Sequence, residues 1–434
     1  MKRYSEYKDS GVKWIGEIPG HWECTRIKFI ANLYGRIGFR GYNSKDLNKD
    51  GIGAITLSPS NMKDMMMDYT NVTYLSWEKY NESPEIMIQQ GDILFVKTGS
   101  SYGKSCYVDN LPQEATINPQ ILRINPLING RFLCYYFNSS LARTFTECGV
   151  VGGTIPTISQ EKVGNFIALN PPLPEQEAIV TYLDSKVAKI DEYISIAEKK
   201  IAALEELKQT IIAEAVTRGI HKDVPMKDSG VKWIGMIPEH WKMKSLRSYV
   251  KLYSEKNHPE KQLLSVTREM GVIVRNTESK EENHNFIPDD LSGYKLVRKG
   301  DFVINKMKSW QGSYGVSKYE GIVSPAYYVC KLEFPYNDFF SIAIRCKSYV
   351  PFFTQYSKGI RVDQWDLSPI ALKNIPFMEP PIAEQQEIVT YIEAKVANIN
   401  QLCQAERSQI EKLKEYKQRL ISDVVTGKVK VTND

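Results

Sequence analysis

The chain is written twice, and any fold it adopts must accommodate two copies of one frame. Residues 8–23 read KDSGVKWIGEIPGHWE and residues 227–242 read KDSGVKWIGMIPEHWK, identical at 13 of 16 positions at an offset of 219. A second pair, PPLPEQEAIVTYLDSKVAKI (171–190) and PPIAEQQEIVTYIEAKVANI (380–399), recurs at an offset of 209. Gly91-Asp92 and Gly300-Asp301 share that second offset, so the loss of ten residues falls between the HW motif and the GD pair. Segment 24–90 has 67 residues, segment 243–299 has 57, and the two show little resemblance. The frame is duplicated and the inserts are not. A duplicated catalytic site would repeat its chemistry; a scaffold presenting two different readers would repeat only its geometry.

Each copy closes on a helix. Leu183, Val187, Ile190, Ile194, Ala197, Ile201 and Leu204 recur in steps of four and three, the period of a coiled-coil seam, with Leu207, Ile211 and Ala215 extending it. The second copy offers Ile392, Val396, Ile399, Cys403, Ile410, Leu413, Tyr416, Leu420 and Val424, interrupted by Glu406. Pro174 suits a first helical turn, and Gly219 and Gly427 suit the stops. Two helices of about 43 residues span roughly 65 Å each. Neither buries its stripe alone, and pseudo-two-fold halves would pair them antiparallel.

Between these marks the pattern is mixed. Residues 92–97 and 104–109 read as strands around a Gly/Ser turn, and Phe132, Leu133, Tyr136, Phe137, Leu141 and Phe145 as one helix on that sheet. Val323–Leu332 and Phe339–Phe353 look comparable in the second half. The tryptophans around the Gly/Pro turn are expected to pin an irregular segment to the sheet. The fold class is therefore α+β: two mixed α/β domains separated by two long helices in an antiparallel coiled coil.

Charge placement points to a partner more than net charge does. The chain carries a formal +5, but segments 175–218 and 384–426 together carry −4, leaving +9 on the remainder. That distribution is expected if the globular parts neutralise phosphates. The seven cysteines lack C-x-x-C spacing and the five histidines lack H-x-x-x-H spacing, which excludes a disulfide framework and makes a metal site unexpected. The start carries no apolar leader and no stretch approaches a membrane span, so a soluble cytoplasmic protein is expected.

Two motifs resemble catalytic ones and fail. Gly99-Ser-Ser-Tyr-Gly103-Lys104-Ser105 has three residues between its glycines where a phosphate-cradling loop needs four. Asn170-Pro171-Pro172-Leu173 resembles the N-P-P-aromatic motif of amino-methyltransferases, but Leu173 replaces the stacking ring and the second copy has Glu379-Pro380-Pro381-Ile382. No Ser/His/Asp constellation or nuclease pattern accompanies them. The chain reads as non-catalytic.

Two halves, each opening on W-x-G-x-I-P-x-H-W and closing on P-P-x-x-E-Q before a long helix, resemble the specificity subunit (HsdS) of type I restriction–modification systems. The resemblance rests on Trp14, Gly16, Pro19, Trp22, Gly91, Asp92, Pro171, Pro172, Glu175 and Gln176, and again on Trp233, Gly235, Pro238, Trp241, Gly300, Asp301, Pro380, Pro381, Glu384 and Gln385. It implies target recognition domains at 1–170 and 220–379, each reading one half of a bipartite duplex. It implies spacer helices at 171–219 and 380–434 that set the distance between half-sites and dock modification subunits. Two modification (HsdM) subunits would bring S-adenosylmethionine, and restriction (HsdR) subunits would bring ATP and magnesium; this chain would bind no cofactor. The residues expected to touch DNA are Lys97, Ser101, Tyr102, Lys104 and Thr154 in the first domain, and Lys306, Lys308, Trp310, Gln311, Arg361 and Gln364 in the second. The competing readings are a self-contained adenine methyltransferase using Asn170-Pro171-Pro172 and a coiled-coil interaction protein without a DNA role.

Overall fold

The strand after each GD pair is apolar at consecutive positions because both of its faces are covered. In the computed structural model, which describes residues 3–48, 50–151, 155–276, 287–359 and 365–431, the chain divides into two compact units. One comprises Met1–Ala197 with Arg407–Asp434, the other Glu198–Glu406. Each unit holds a four-stranded antiparallel sheet. In the first, β1 (Ala31–Gly35), β2 (Ile93–Val96), β3 (Ser105–Tyr107) and β4 (Ile121–Pro126) lie in the order β3-β2-β4-β1. In the second, β5 (Val250–Tyr253), β6 (Phe302–Asn305), β7 (Tyr314–Val316) and β8 (Tyr327–Leu332) lie in the order β7-β6-β8-β5. The sheets are the same, strand for strand.

Along β2, Ile93 and Phe95 face a core shared with Leu133, Tyr136 and Phe137, while Leu94 and Val96 face a second core with Ile55, Leu57 and Ile117. Phe302 and Ile304 of β6 likewise meet Phe339 and Phe340, and Val303 meets Leu264, Val266 and Val323. The first face belongs to the repeated frame and the second to the unlike inserts. In the first unit the insert contributes to a four-stranded sheet of Leu47–Asn48, Thr73–Leu75, Ala54–Leu57 and Ala115–Ile117, the last two strands parallel. In the second unit two antiparallel pairs take its place, Leu264–Thr267 with Gly271–Val274 and Lys295–Val297 with Gly321–Val323, joined by a parallel bridge from Leu263 to Ile322.

The helix expected across Phe132–Phe145 is two, Gly130–Phe137 and Ser140–Gly149. Asn138 and Ser139 break it. The Asn138 amide donates to the Ser105 hydroxyl (2.8 Å) and the Cys134 carbonyl (2.9 Å), and Ser139 caps the next helix by accepting from the Ala142 amide. Apolar spacing continues through a capped junction without revealing it.

The long helices are α1 (Leu173–Arg218, 46 residues) and α2 (Ile382–Val425, 44 residues). Within the first unit, Leu183, Val187 and Ile190 of α1 share a core with Leu420, Ile421 and Val424 of α2, and Lys417 donates to Asp191 at 2.6 Å. Within the second, Ala215 and Val216 of α1 share a core with Ile388, Val389 and Ile392 of α2. There Lys200 pairs with Glu406 (2.5 Å) and Lys208 donates to Asn400 (3.3 Å). Rising numbers on one helix meet falling numbers on the other, so the pairing is antiparallel. Glu406 interrupts the apolar stripe and is compensated by Lys200. Ile194, Ile201, Leu204, Val396 and Leu413 are half-buried, and Ile399 and Ile410 are buried.

Two seam assignments are corrected: Leu207 is 48% exposed and Tyr416 46%. A helix of 3.6 residues per turn drifts against a strict 3.5 repeat, so Lys208 and Lys417 occupy the inward positions instead.

Candidate nucleic-acid interface

Each reading head is held by a carboxylate latch built from the repeated motifs. His21 Nε2 (2.8 Å) and Trp22 Nε1 (3.0 Å) donate to Glu175 Oε2, and the Tyr4 hydroxyl donates to its other oxygen. His240 Nε2 (2.8 Å) and Trp241 Nε1 (3.0 Å) donate to Glu384 Oε2 in the same way. Trp22 and Trp241 are fully buried, whereas Trp14 and Trp233 lie partly exposed against Phe145 and Phe352. The correction is physical: the second tryptophan of each pair pins the opening segment to the start of a long helix, not to the sheet, because the indole N–H needs a buried acceptor.

Beside each latch the other long helix ends. A Cβ on Gly219 would lie 3.3 Å from the Trp241 ring, and one on Gly427 would lie 2.5 Å from Pro19 and 3.2 Å from Trp22. Both glycines have φ above +70°, so they serve as left-handed stops and as floors for the indoles. The first unit is closed by the end of the chain: Tyr7 donates to the Gly427 carbonyl at 3.0 Å and the Ser140 amide to the Ser422 hydroxyl at 2.9 Å. The second unit is closed by its own C-terminal part of α1, where Ala215 and Val216 share a core with Trp241.

The P-P-x-x-E-Q motif turns the chain into each helix. Gln176 Nε2 donates to the Pro171 carbonyl (2.8 Å) and to Asn170 Oδ1 (3.1 Å), and its oxygen accepts from the Asn129 amide (3.0 Å). Gln385 Nε2 donates to the Pro380 carbonyl at 2.7 Å. The Asn170 oxygen and prolyl carbonyl that a methyltransferase would offer to its target amine are thus occupied by the protein's own glutamine. Gly99 to Gly103 is a hairpin turn between β2 and β3, with the Gly103 amide donating back to the Val96 carbonyl at 2.8 Å. Its geometry differs from the strand-to-helix loop that cradles phosphate. No group of three or more His, Cys, Asp or Glu able to hold a metal ion occurs among the described residues, and no helix among them is long and apolar enough to cross a membrane.

With the frame fixed, the strand ends carry the differences. Lys97 and Lys306 occupy the same position, the residue after β2 and after β6. Lys97 is half-buried, pairs with no carboxylate among the described residues, and has its pKa lowered by burial. Its backbone is held on both sides, its amide by the Gln120 carbonyl (2.8 Å) and its carbonyl by the Ile158 amide (2.9 Å). Lys306 donates to Asp366 at 2.9 Å, which raises its pKa. Trp310 stacks obliquely on Trp365 with ring centroids 5.2 Å apart and donates to the Met307 carbonyl, while Lys308 is exposed and Gln311 half-buried.

The expected DNA-contact residues of the first unit that are described lie in and beside the β2–β3 hairpin. Tyr102 and Lys104 line a polar cleft of about 370 Å³ with Ser139, Arg143, Glu147 and Gln418. Lys97 instead neighbours Gly35 and Gln160. Ser101 is half-buried in the hairpin, its carbonyl accepting from the Lys104 amide. Thr154, Arg361 and Gln364 lie outside the described residues. Sequence reasoning missed Gln120 and Gln160 beside Lys97, and the His21 and His240 donors to the latch. The histidines were readable, since H-W and E-Q recur together in both copies.

A repeated frame with two unlike polar edges makes a duplicated scaffold. Residues 21–206 match the family described as type I restriction modification DNA specificity domain. Across 98% of both chains the sequence is 24% identical to a chain assigned as the specificity subunit of the MjaX type I restriction enzyme of Methanocaldococcus jannaschii. It is 22% identical, again over 98% of both, to the MjaVIII specificity subunit of the same organism. The fold matches a chain of a solved type I restriction–modification system with a TM-score of 0.66 at 15% identity, covering 95% of this chain and 99% of that one. Residues 21–206 thus match the type I DNA specificity domain, and over nearly its whole length the chain is similar to specificity subunits of type I restriction–modification systems.

Proposed function

We propose that each unit reads one half of a bipartite duplex target, the first through the strand ends around Lys97 and the second through those around Lys306. One observation carries this reading: the two units repeat their sheet, latch and helix start, yet differ at the strand ends that the frame presents. Phosphate contacts fix register and base edges carry sequence, so a reader needs a rigid frame and a variable edge. Two short readings add in energy when geometry lets both engage one duplex. The paired helices α1 and α2 set the spacing and dock two modification subunits, with restriction subunits joining the same cytoplasmic assembly. S-adenosylmethionine, ATP and magnesium belong to those partners.

Co-expression with the modification subunit, followed by mapping of methylated adenines, tests the proposal. A split target methylated only when both chains are present supports it. Methylation by the isolated chain, or binding without salt sensitivity, contradicts it.

A further inference from the structure

The turn that leads into the strand beside β2 is shared by both units, and its last residue is not. Asn118-Pro119-Gln120 precedes β4, whose first residue Ile121 lies opposite Val96. Ser324-Pro325-Ala326 precedes β8, whose first residue Tyr327 lies opposite Asn305. The turn is closed alike in both: the Gln120 amide donates to Asn118 Oδ1 (3.0 Å) and the Ala326 amide to the Ser324 hydroxyl (3.4 Å). The backbone is therefore constant while the side chain changes from an amide to a methyl, next to a lysine that pairs with no carboxylate among the described residues in one unit and with Asp366 in the other.

In the first unit the amide is oriented. Asn118 Nδ2 donates to Gln120 Oε1 at 3.2 Å, which engages one lone pair of that oxygen and leaves Nε2 to donate elsewhere. Two glycines border the donors: a Cβ on Gly99 would lie 3.4 Å from Gln120 Nε2, and one on Gly35 would lie 3.5 Å from Lys97 Nζ and 3.1 Å from Gln160 Oε1. Gln160 is itself fixed, its Nε2 donating to the Leu33 carbonyl at 2.8 Å. A free glutamine offers a donor and an acceptor and suits adenine; one whose oxygen already accepts a hydrogen bond has its Nε2 hydrogens as the wholly unengaged groups and favours a base edge of acceptors. Guanine is the base that presents two adjacent acceptors, N7 and O6, in the major groove.

We infer that Lys97 and Gln120 are specificity-determining residues that read a guanine in the half-site taken by the first unit. Ala326 leaves the second unit without the matching amide. The inference rests on the DNA-reading function proposed above and adds the base and the pair of donors.

The test selects duplexes from a randomised library with the complete complex of this chain and its modification subunits. Gln120→Ala places in the first unit the residue that the second unit already carries at this turn, so the backbone tolerates it. It is expected to relax the preference for guanine at one base pair by about tenfold or more, leaving the other half-site unchanged. Lys97→Met is expected to relax the same base pair and to weaken binding to all sequences. Lys97→Arg, which keeps a donor for N7 and O6, is expected to retain the guanine. The inference is overturned if Gln120→Ala and Lys97→Met keep every base preference of the wild type, or if the position they relax is not a guanine. Selection of no sequence at all by the wild-type complex would instead sink the broader proposal, and the two failures are distinguishable.

Discussion

The two units solve the same local problem differently, and the difference separates what the frame requires from what it permits. Asp92 of the first GD pair is fully buried and accepts from Arg123 Nε (2.6 Å), Asn125 Nδ2 (3.1 Å) and the Gln89 amide (2.6 Å). Asp301 of the second accepts from the Tyr253 hydroxyl and the Arg298 amide (2.7 Å), with Val329 where the first unit has its arginine. A buried carboxylate at this turn is common to both; its cation is not. At the same end of the sheet Asn32, Asn125, Gln89 and Gln90 become Lys251, Lys331, Arg298 and Lys299, which line a cavity of about 560 Å³. Lys251 and Lys331 sit directly opposite across the sheet, a repulsion offset by Glu333 at 2.6 and 3.3 Å.

The largest expected asymmetry follows from the aspartates. Arg123→Met strands a buried charge and should cost the first unit about 3–5 kcal/mol, whereas Tyr253→Phe should cost the second about 1–2 kcal/mol. Hydrogen exchange of the β2 and β6 amides reads the units separately, and equal losses would break the comparison. The helix stops come next. Gly427→Ala meets the Pro19 ring at 2.5 Å and Gly219→Ala the latched Glu384 carboxylate at 2.9 Å, so the first should cost about 2–3 kcal/mol and the second about 1–2 kcal/mol, measurable by urea unfolding.

Smaller still is the effect of releasing Lys306. Asp366→Asn leaves folding nearly unchanged, because both partners are partly exposed, and should steepen the salt dependence of DNA binding by about one unit of slope. An unchanged slope would mean that Lys306 points away from phosphate. The smallest effect concerns pH. Burial raises the Asp301 pKa above its ordinary value, so the fold favours the protonated acid and loses that contribution as pH rises through the raised pKa. Urea midpoints should therefore shift in favour of Asp301→Asn, relative to wild type, as pH climbs out of the carboxylate range.

Much of this architecture was legible in the repeat: two mixed sheets, two long helices with Gly219 and Gly427 as stops, and the place where the units differ. What stayed hidden was contact. Periodicity assigns Leu207 and Tyr416 inward because it cannot register phase drift, and it runs one helix through Asn138-Ser139 because a cap keeps apolar spacing intact. Trp22 and Glu175 were each visible, but the hydrogen bond between them spans 153 positions of sequence. Gln120 was hidden for another reason: a polar residue after proline looks like any surface turn until the matching Ser324-Pro325-Ala326 is laid beside it.

The central claim is that two unlike readers act independently on one frame. Sequencing adenine methylation in DNA modified by the chain and its modification subunit, first as wild type and then with Lys306→Met and Asp366→Asn combined, addresses it directly. The account predicts a target in two blocks, with only the block read by the second unit altered in the variant. One uninterrupted target, or a change in both blocks at once, would contradict it.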